Sequence, residues 1–351
     1  MRLLENRQWL ADLDETAARL PELKELAGSG ILITGCTGLI CSAVTDLLIR
    51  WNTMQDQKIK LFAAGRSRAR ILARFAPYKN EAWFHAVSYD AVAPESRLPF
   101  LCEYILHGAG NASPDKILKE PVETILGNFR GLSNLLEYAR GQGSRRLLYI
   151  SSSEVYGKKE GTHPYREDEY GYIDLLNPRN SYSVGKQAAE TLCASYAGEY
   201  GVDTVIVRPG HIYGPTASET DRRVSSAWAF AAARGEDIVM KSDGAQLRSY
   251  CYCLDCALAI LKVLLRGRPT RAYNISNPVS VISIRQMAEI LAESAGVRLI
   301  TEEPGEQERK AFNPMLNSSL DSAELLRLGW EGLFDARRGF SHTVQILRAT
   351  K

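Results

Sequence analysis

Ile31-Leu-Ile-Thr-Gly-Cys-Thr-Gly-Leu-Ile-Cys41 is the stretch that decides how this chain folds. An apolar run ends in a glycine-punctuated turn, and from Ser42 to Arg50 the residues Val44, Leu47 and Leu48 carry a helical apolar pattern. The order is strand, loop, helix. Gly35 permits the tight turn and Gly38 lets the backbone approach a pyrophosphate, which the first N–H groups of the helix then bind. Gly35, Thr37, Gly38, Leu39 and Ile40 are thus the candidate phosphate cradle. Cys41 stands where a third glycine is common, which predicts a slightly looser seat of the helix on the strand.

The second strand, Ile59 to Ala64, runs into Gly65-Arg66-Ser67-Arg68 without an acid. A strict NAD site places an acid here for the ribose 2′-hydroxyl, whereas Arg66 and Arg68 could meet a 2′-phosphate. Asp90, following a third strand and Ser88-Tyr89, is expected near the adenine. The cofactor expected is NAD, with NADP open.

Strands and helices alternate from Ile31 to Pro209, Val202 to Arg208 reads as a late parallel strand, and Ala272 to Ile275 as another that returns to the same sheet. The fold class is α/β, a Rossmann-type doubly wound parallel sheet with a smaller C-terminal α/β substrate-binding lobe. The expected division is a helical extension over 1–28, a dinucleotide-binding domain over 29–209 rejoined by 251–276, and the lobe from 210–250 and 277–351.

Tyr182-Ser-Val-Gly-Lys186 places a phenol and an ammonium four residues apart, on one face of a helix. A lysine beside a phenol favours the ionised form, and a phenol of pKa about 10 needs that help to act as a base near neutrality. Such a base could take a hydroxyl proton from a sugar or alcohol while hydride leaves the same carbon.

The glycine loop, Ser151-Ser-Ser-Glu-Val-Tyr-Gly157, the Tyr182/Lys186 pair and Arg208-Pro-Gly-His-Ile-Tyr-Gly-Pro215 follow one another in this order. Over residues 29–345 the chain resembles the extended short-chain dehydrogenase/reductases that modify nucleotide sugars, the NAD-dependent epimerase/dehydratase family. Asn177-Pro178, the helix running to Ala189-Glu190, Asp221-Arg-Arg-Val-Ser225 and Arg248-Ser-Tyr-Cys-Tyr252 make it most similar to the UDP-glucuronate decarboxylases within that family.

The resemblance implies a triad of Ser152, Tyr182 and Lys186, with Asn128 supporting the lysine. It implies oxidation at carbon 4 of the sugar by bound cofactor, followed by chemistry at carbon 5. Glu154 matches a carboxylate of the decarboxylases and dehydratases that simple 4-epimerases do not need. Ser153 stands where hexose dehydratases of the dTDP-glucose type carry an aspartic acid, which disfavours them; dehydratases of the GDP-mannose type use a hydroxyl residue and Glu here, so 4,6-dehydration is the alternative, with 4-epimerisation behind it. On the substrate side the resemblance implies Arg248 at the diphosphate, with Arg223, Asn111 and His211 facing the nucleotide sugar. His211 is a departure, because the decarboxylase pattern more often has asparagine. A reading of another class is a non-catalytic dinucleotide sensor, but such proteins commonly lose the Tyr/Lys pair that is present here.

With 351 residues and 45% apolar content the chain can bury a large core. Its net charge of +2 gives no electrostatic reason to expect nucleic acid or a membrane surface as partner. No uninterrupted apolar segment reads as a signal peptide or membrane span, so a cytoplasmic location is expected. Seven cysteines, an odd number, point to reduced thiols; Cys253 and Cys256 lack a second Cys/His pair, and no metal site is expected. The expected assembly is a homodimer.

Overall fold

The computed structural model describes residues 2–93, 98–159, 161–303 and 316–350; the part of the expected lobe at 304–315 lies outside the described residues. Seven parallel strands form the central sheet: β1 (Gly30–Thr34), β2 (Lys60–Gly65), β3 (Phe84–Ser88), β4 (Tyr104–His107), β5 (Arg146–Ile150), β6 (Thr204–Pro209) and, later in the chain, β10 (Ala272–Ile275). Their spatial order is β10-β6-β5-β4-β1-β2-β3, so the side of the sheet to which strands are added switches between β1 and β4. Ligands of open α/β sheets bind at such a switch point, beyond the carboxyl ends of the strands.

Buried strands of a parallel sheet carry apolar residues on both faces, and β1 shows the consequence. Ile31 and Ile33 join one core cluster while Leu32 joins the other, as the two-residue period requires. The first cluster lies under α2 (Leu39–Thr53) and α8 (Cys253–Arg266). The second lies under α5 (Pro121–Gln142) and α6 (Ser181–Tyr200), which pack closely along each other. Two short helices, α3 (Arg68–Arg74) and α4 (Pro114–Lys119), follow β2 and precede α5.

The N-terminal segment packs on this domain. Helix α1 (Arg7–Ala18) lies against α2 and α8, with Trp9 and Leu13 fully buried. Trp9 Nε1 donates to Asp46 Oδ2 at 3.0 Å, and Arg74 reaches the same oxygen at 2.5 Å. The carboxylate of Asp46 is fully enclosed, and these two donors oppose the burial that raises its pKa.

The remaining elements stand over the carboxyl end of the sheet. β7 (His211–Tyr213), β9 (Leu247–Tyr252) and β11 (Val281–Ser283) make one small sheet, and β8 (Ile238–Met240) pairs with β12 (Leu299–Thr301). Helices α7 (Val224–Arg234), α9 (Ile284–Ala295), α10 (Ala323–Arg327) and α11 (Ala336–Ala349) complete the chain, α11 packing on both α7 and α9. Among the described residues no helix is long and apolar enough to cross a membrane.

Candidate functional site

The turn after β1 is built for a close backbone approach. Gly35 has φ +71°, and a Cβ there would meet the Gly108 carbonyl oxygen at 2.8 Å. Gly38 is the N-cap of α2 and supplies no side-chain cap, so the first-turn N–H groups at Leu39 and Ile40 have no partner within the helix. Thr37, Leu39 and Ile40 are partly accessible, and Gly38 is exposed. A bare helix N-terminus behind a positive-φ glycine fits a dinucleotide pyrophosphate.

Cys41 does not loosen the seat of α2. It is buried, and its Sγ lies where a Cβ on Gly108 would come within 2.4 Å. The missing side chain is on the neighbouring strand end instead of on the helix. Thr34 ties the same two loops together: its Oγ1 accepts from the N–H groups of Gly108 and Ala109, each at 3.2 Å. The Thr34 hydroxyl proton is then left for His107 Nδ1 at 2.7 Å, and burial holds that imidazole neutral with a pKa of about 3. Sequence reading missed His107, whose only signal was its place at the end of a strand beside the switch point.

Arg66 follows β2 directly and is exposed; among the described residues its guanidinium has no ion-pair partner. Arg68 instead turns back to donate to the Ala86 carbonyl at 3.3 Å. Asp90 lies two residues beyond β3, exposed, with Oδ1 accepting from the Val92 N–H at 3.1 Å.

Tyr182, in the first turn of α6, and Lys186 one turn later are both buried. The expected depression of the phenol by the lysine is absent. Burial pushes Tyr182 up to about 12, opposed first by its hydrogen-bond partner Ser152 and then by the more distant Arg223 charge. Lys186 has another acceptor: its Nζ donates to the Ile150 carbonyl at 2.6 Å and lies 4.5 Å over the Tyr149 ring, against 5.7 Å for the Tyr182 ring. Burial lowers Lys186 to about 8.

Asn128 contributes from α5. Its Nδ2 donates to the Thr124 carbonyl, and its Oδ1 accepts from Tyr149 at 3.4 Å, so it reaches the lysine through the ring on which the ammonium rests. α6 crosses α5 here, Gly185 facing the Asn128 Cβ.

Ser152, at the end of β5, caps a short turn by accepting the Glu154 N–H at 3.2 Å. With Ser153, Glu154 and Tyr182 it forms one wall of a cavity of about 630 Å³. His211, Arg223 and Arg248 line the same cavity. Arg248 is buried on β9, with one N–H donated to the Leu247 carbonyl at 2.7 Å. Arg223 is turned onto Asp221 in a two-pronged pair of 2.5–3.0 Å. His211 opens β7; its Nδ1 is enclosed without a hydrogen-bond partner among the described residues. Burial first, and then the Arg248 and Arg223 charges, hold its ring neutral with a pKa of about 3.

Asn111 is not in this wall. Its Nδ2 approaches Glu120 at 3.4 Å, and its neighbours Ala112 and Pro114 line the cavity instead. A residue the sequence reading passed over does line it: Arg179, directly after Asn177-Pro178, lies 3.8 Å from the Glu154 carboxylate, to which Ser183 also donates at 3.2 Å. A larger cleft of about 1080 Å³ lies at the β6/β10 edge, among charged residues such as Arg271 and Glu324, and holds none of Ser152, Tyr182 and Lys186. The chemistry-bearing cavity is the smaller one.

The family model for the NAD dependent epimerase/dehydratase family matches residues 31–276. The chain is 30% identical over 332 residues to UDP-glucuronic acid decarboxylase 1 of Xenopus tropicalis, covering 93% of this chain and 74% of that protein. Two solved structures share the fold. The UDP-N-acetylglucosamine 4-epimerase of Methanobrevibacter ruminantium, in complex with UDP-N-acetylmuramic acid, superposes with a TM-score of 0.75 at 20% identity, over 93% of this chain and 100% of that one. The dTDP-glucose 4,6-dehydratase of Bacillus anthracis, in complex with NAD, gives 0.73 at 18% identity, over 92% and 97%.

Proposed function

The chain belongs to the NAD-dependent epimerase/dehydratase family, and from that premise we propose that it decarboxylates a UDP-linked uronic acid such as UDP-glucuronate, with NAD bound at Gly35, Gly38 and the start of α2. The observation that carries this reading is Glu154: a carboxylate with Arg179 beside it, on the same cavity wall as Ser152 and Tyr182. Ser153, the residue between, supplies no acid for expelling a hydroxyl.

The bound dinucleotide would supply a hydride acceptor that later returns the hydride to carbon 4. Ser152 orients the carbon 4 hydroxyl, and Tyr182 takes its proton. Tyr182, at about 12 in this structure, works as a base once a positive charge is brought to the phenol. With carbon 4 a ketone, the carboxylate on carbon 5 is that of a β-keto acid; its carbon–carbon bond breaks to release carbon dioxide, the electron pair passes into the carbon 4 enolate, and carbon 5 takes up a proton before hydride returns to carbon 4. Arg248, Arg223 and neutral His211, which line the same cavity, hold the anionic nucleotide end. Arg66 beside β2 supports binding of NADP as well as NAD.

A homodimer and a cytoplasmic location belong to the same reading. Leu118, Val122 and Phe129 leave apolar surface exposed on α4 and α5, and all seven cysteines are free and buried. The test is to mix the protein with UDP-glucuronate and measure carbon dioxide and a UDP-pentose without net consumption of cofactor. Loss of water from a UDP- or GDP-hexose, or interconversion of UDP-glucose and UDP-galactose, would replace the reading by dehydration or epimerisation. Tight dinucleotide binding with no turnover of any nucleotide sugar would point to a sensor.

A further inference from the structure

Glu190 sits one turn beyond Lys186 and two beyond Tyr182 on α6, and its carboxylate joins three elements of the site. Oε1 accepts from Ser151 Oγ at 2.5 Å, immediately before Ser152. Arg208 of β6 clasps both oxygens, Nε to Oε1 at 3.0 Å and Nη2 to Oε2 at 2.6 Å. The guanidinium is 2% exposed and fully used: its other N–H groups go to the Tyr156 hydroxyl, the Glu167 carbonyl and the Tyr170 hydroxyl, at 2.8–3.0 Å. The turn that carries Ser152 through Tyr156 is therefore held at both ends by one largely buried ion pair, whose Glu190 side chain keeps 11% exposure where it borders the larger cleft.

A buried pair of this kind is poor evidence for stability, because desolvating two charges offsets most of their attraction. Its geometry has another consequence. Lys186 is fully enclosed, and among the described residues the charged and titratable groups around it are few: Glu190 and Cys193 on its own helix, Tyr182 there as well, Cys41 from α2, Tyr149 from β5 and His107 from β4. His107 and the two thiols are neutral at physiological pH. Glu190 is the one carboxylate among them. We propose that Glu190 is a positioning residue for the reaction, its carboxylate serving at once as the counter-charge of Lys186 and as the anchor of the Ser151–Ser152 strand end, with Arg208 fixing where that carboxylate lies. The proposal rests on Tyr182 and Lys186 being the proton-transfer pair.

The sign of the effect follows from the groups present. Glu190 raises the pKa of Lys186 against the burial that lowers it to about 8, so removing its charge lets the ammonium lose its proton at lower pH. In Glu190→Gln the amide keeps a hydrogen bond for Ser151 but carries no charge. The expected result is a fall of about one pH unit in the Lys186 titration and in the alkaline limb of kcat, a loss of about fivefold at pH 8, with KM for the nucleotide sugar unchanged. Glu190→Asp should restore the limb. Because the single change leaves Arg208 buried without its carboxylate, the double variant Glu190→Gln with Arg208→Met serves if the single one does not fold; it removes a positive charge together with the carboxylate, so the Lys186 titration should fall by less than in the single variant. The Lys186 titration is read directly from the Nζ resonance of protein made with isotope-labelled lysine, identified by its loss in Lys186→Met. That readout needs no turnover, so failure to process UDP-glucuronate would count against decarboxylation alone. An unchanged Lys186 titration in a folded Glu190→Gln or double variant overturns the proposal, as does an unchanged pH profile with kcat lowered equally at every pH.

Discussion

The Lys186 ammonium donates to the Ile150 carbonyl at 2.6 Å, and its nearest ring is that of Tyr149, not Tyr182. An ammonium buried this deeply is a burden on the fold at neutral pH, because the unfolded chain holds the proton more tightly than the folded one. The folded pKa is depressed to about 8 from 10.5, so the penalty is full below pH 8, shrinks as pH rises through that window and vanishes above it. Lys186→Met should therefore stabilise the fold at pH 7, by less than the full desolvation penalty because the Ile150 carbonyl loses its donor, while removing turnover. Chemical denaturation of both proteins at pH 7 and pH 9 checks this. A gap that widens with pH would contradict it.

Tyr182→Phe should fold, bind dinucleotide and lose turnover by about 10²–10⁴-fold, as loss of a general base does. The pH dependence is equally specific. The free phenol near 12 leaves a negligible ionised fraction at pH 7; on the proposed reading, a dinucleotide bound with its cationic ring beside Tyr182 would lower the Tyr182 titration measured by ultraviolet difference absorbance. An unmoved titration on saturation with NAD would remove Tyr182 as the base.

At the second strand, Arg66→Ala should weaken NADP by about tenfold and leave NAD nearly unaffected, since the guanidinium is exposed and has no other ion-pair partner among the described residues. Fluorescence titration with the two dinucleotides decides it. Equal losses for both would mean that Arg66 does not meet the 2′-phosphate.

Glu154→Gln should slow the step after carbon 4 oxidation, so that reduced nicotinamide accumulates and is seen by absorbance when UDP-glucuronate is mixed with the NAD-loaded protein. Carbon dioxide release at the unmodified rate would show that this carboxylate, beside Arg179, has no part in the chemistry.

Trp9→Ala should cost about 3–5 kcal/mol, through the cavity left between α1 and α2 and the loss of the bond to Asp46. Thermal unfolding measures it. A loss under 1 kcal/mol would show that the N-terminal helix is only loosely attached.

The central sheet was legible because its strands are buried on both faces and read as short apolar runs: Ile31 to Thr34, Leu61 to Ala64, Tyr104 to His107, Leu147 to Ile150 and Val205 to Val207. The three-residue strands β7, β8, β11 and β12 were not, because two or three residues carry no period. The Tyr182/Lys186 pair stood out by its spacing and Ser152 only through the family resemblance; the structure sets Ser152 and Tyr182 on one cavity. What spacing cannot give is where a flexible side chain ends, and so the Ile150 carbonyl as the acceptor of Lys186, the withdrawal of Asn111 toward Glu120 and the arrival of Arg179 beside Glu154 all came from packing. The attachment of the N-terminal helix was hidden for a related reason: its anchoring residue, Trp9, stands just before the apolar series Leu10, Leu13, Ala17.

The contact between Cys41 and Gly108 shows what a nucleotide-binding fingerprint asks for. The demand is for the omission of one side chain at the crossing of a helix and a strand end, and the chain may satisfy it from either party to the crossing. Here the vacancy is written some seventy residues downstream of the motif that needs it. A pattern search confined to one contiguous stretch would score this chain as a defective match, whereas a search that reads the ends of adjacent strands as a pair would score it as complete.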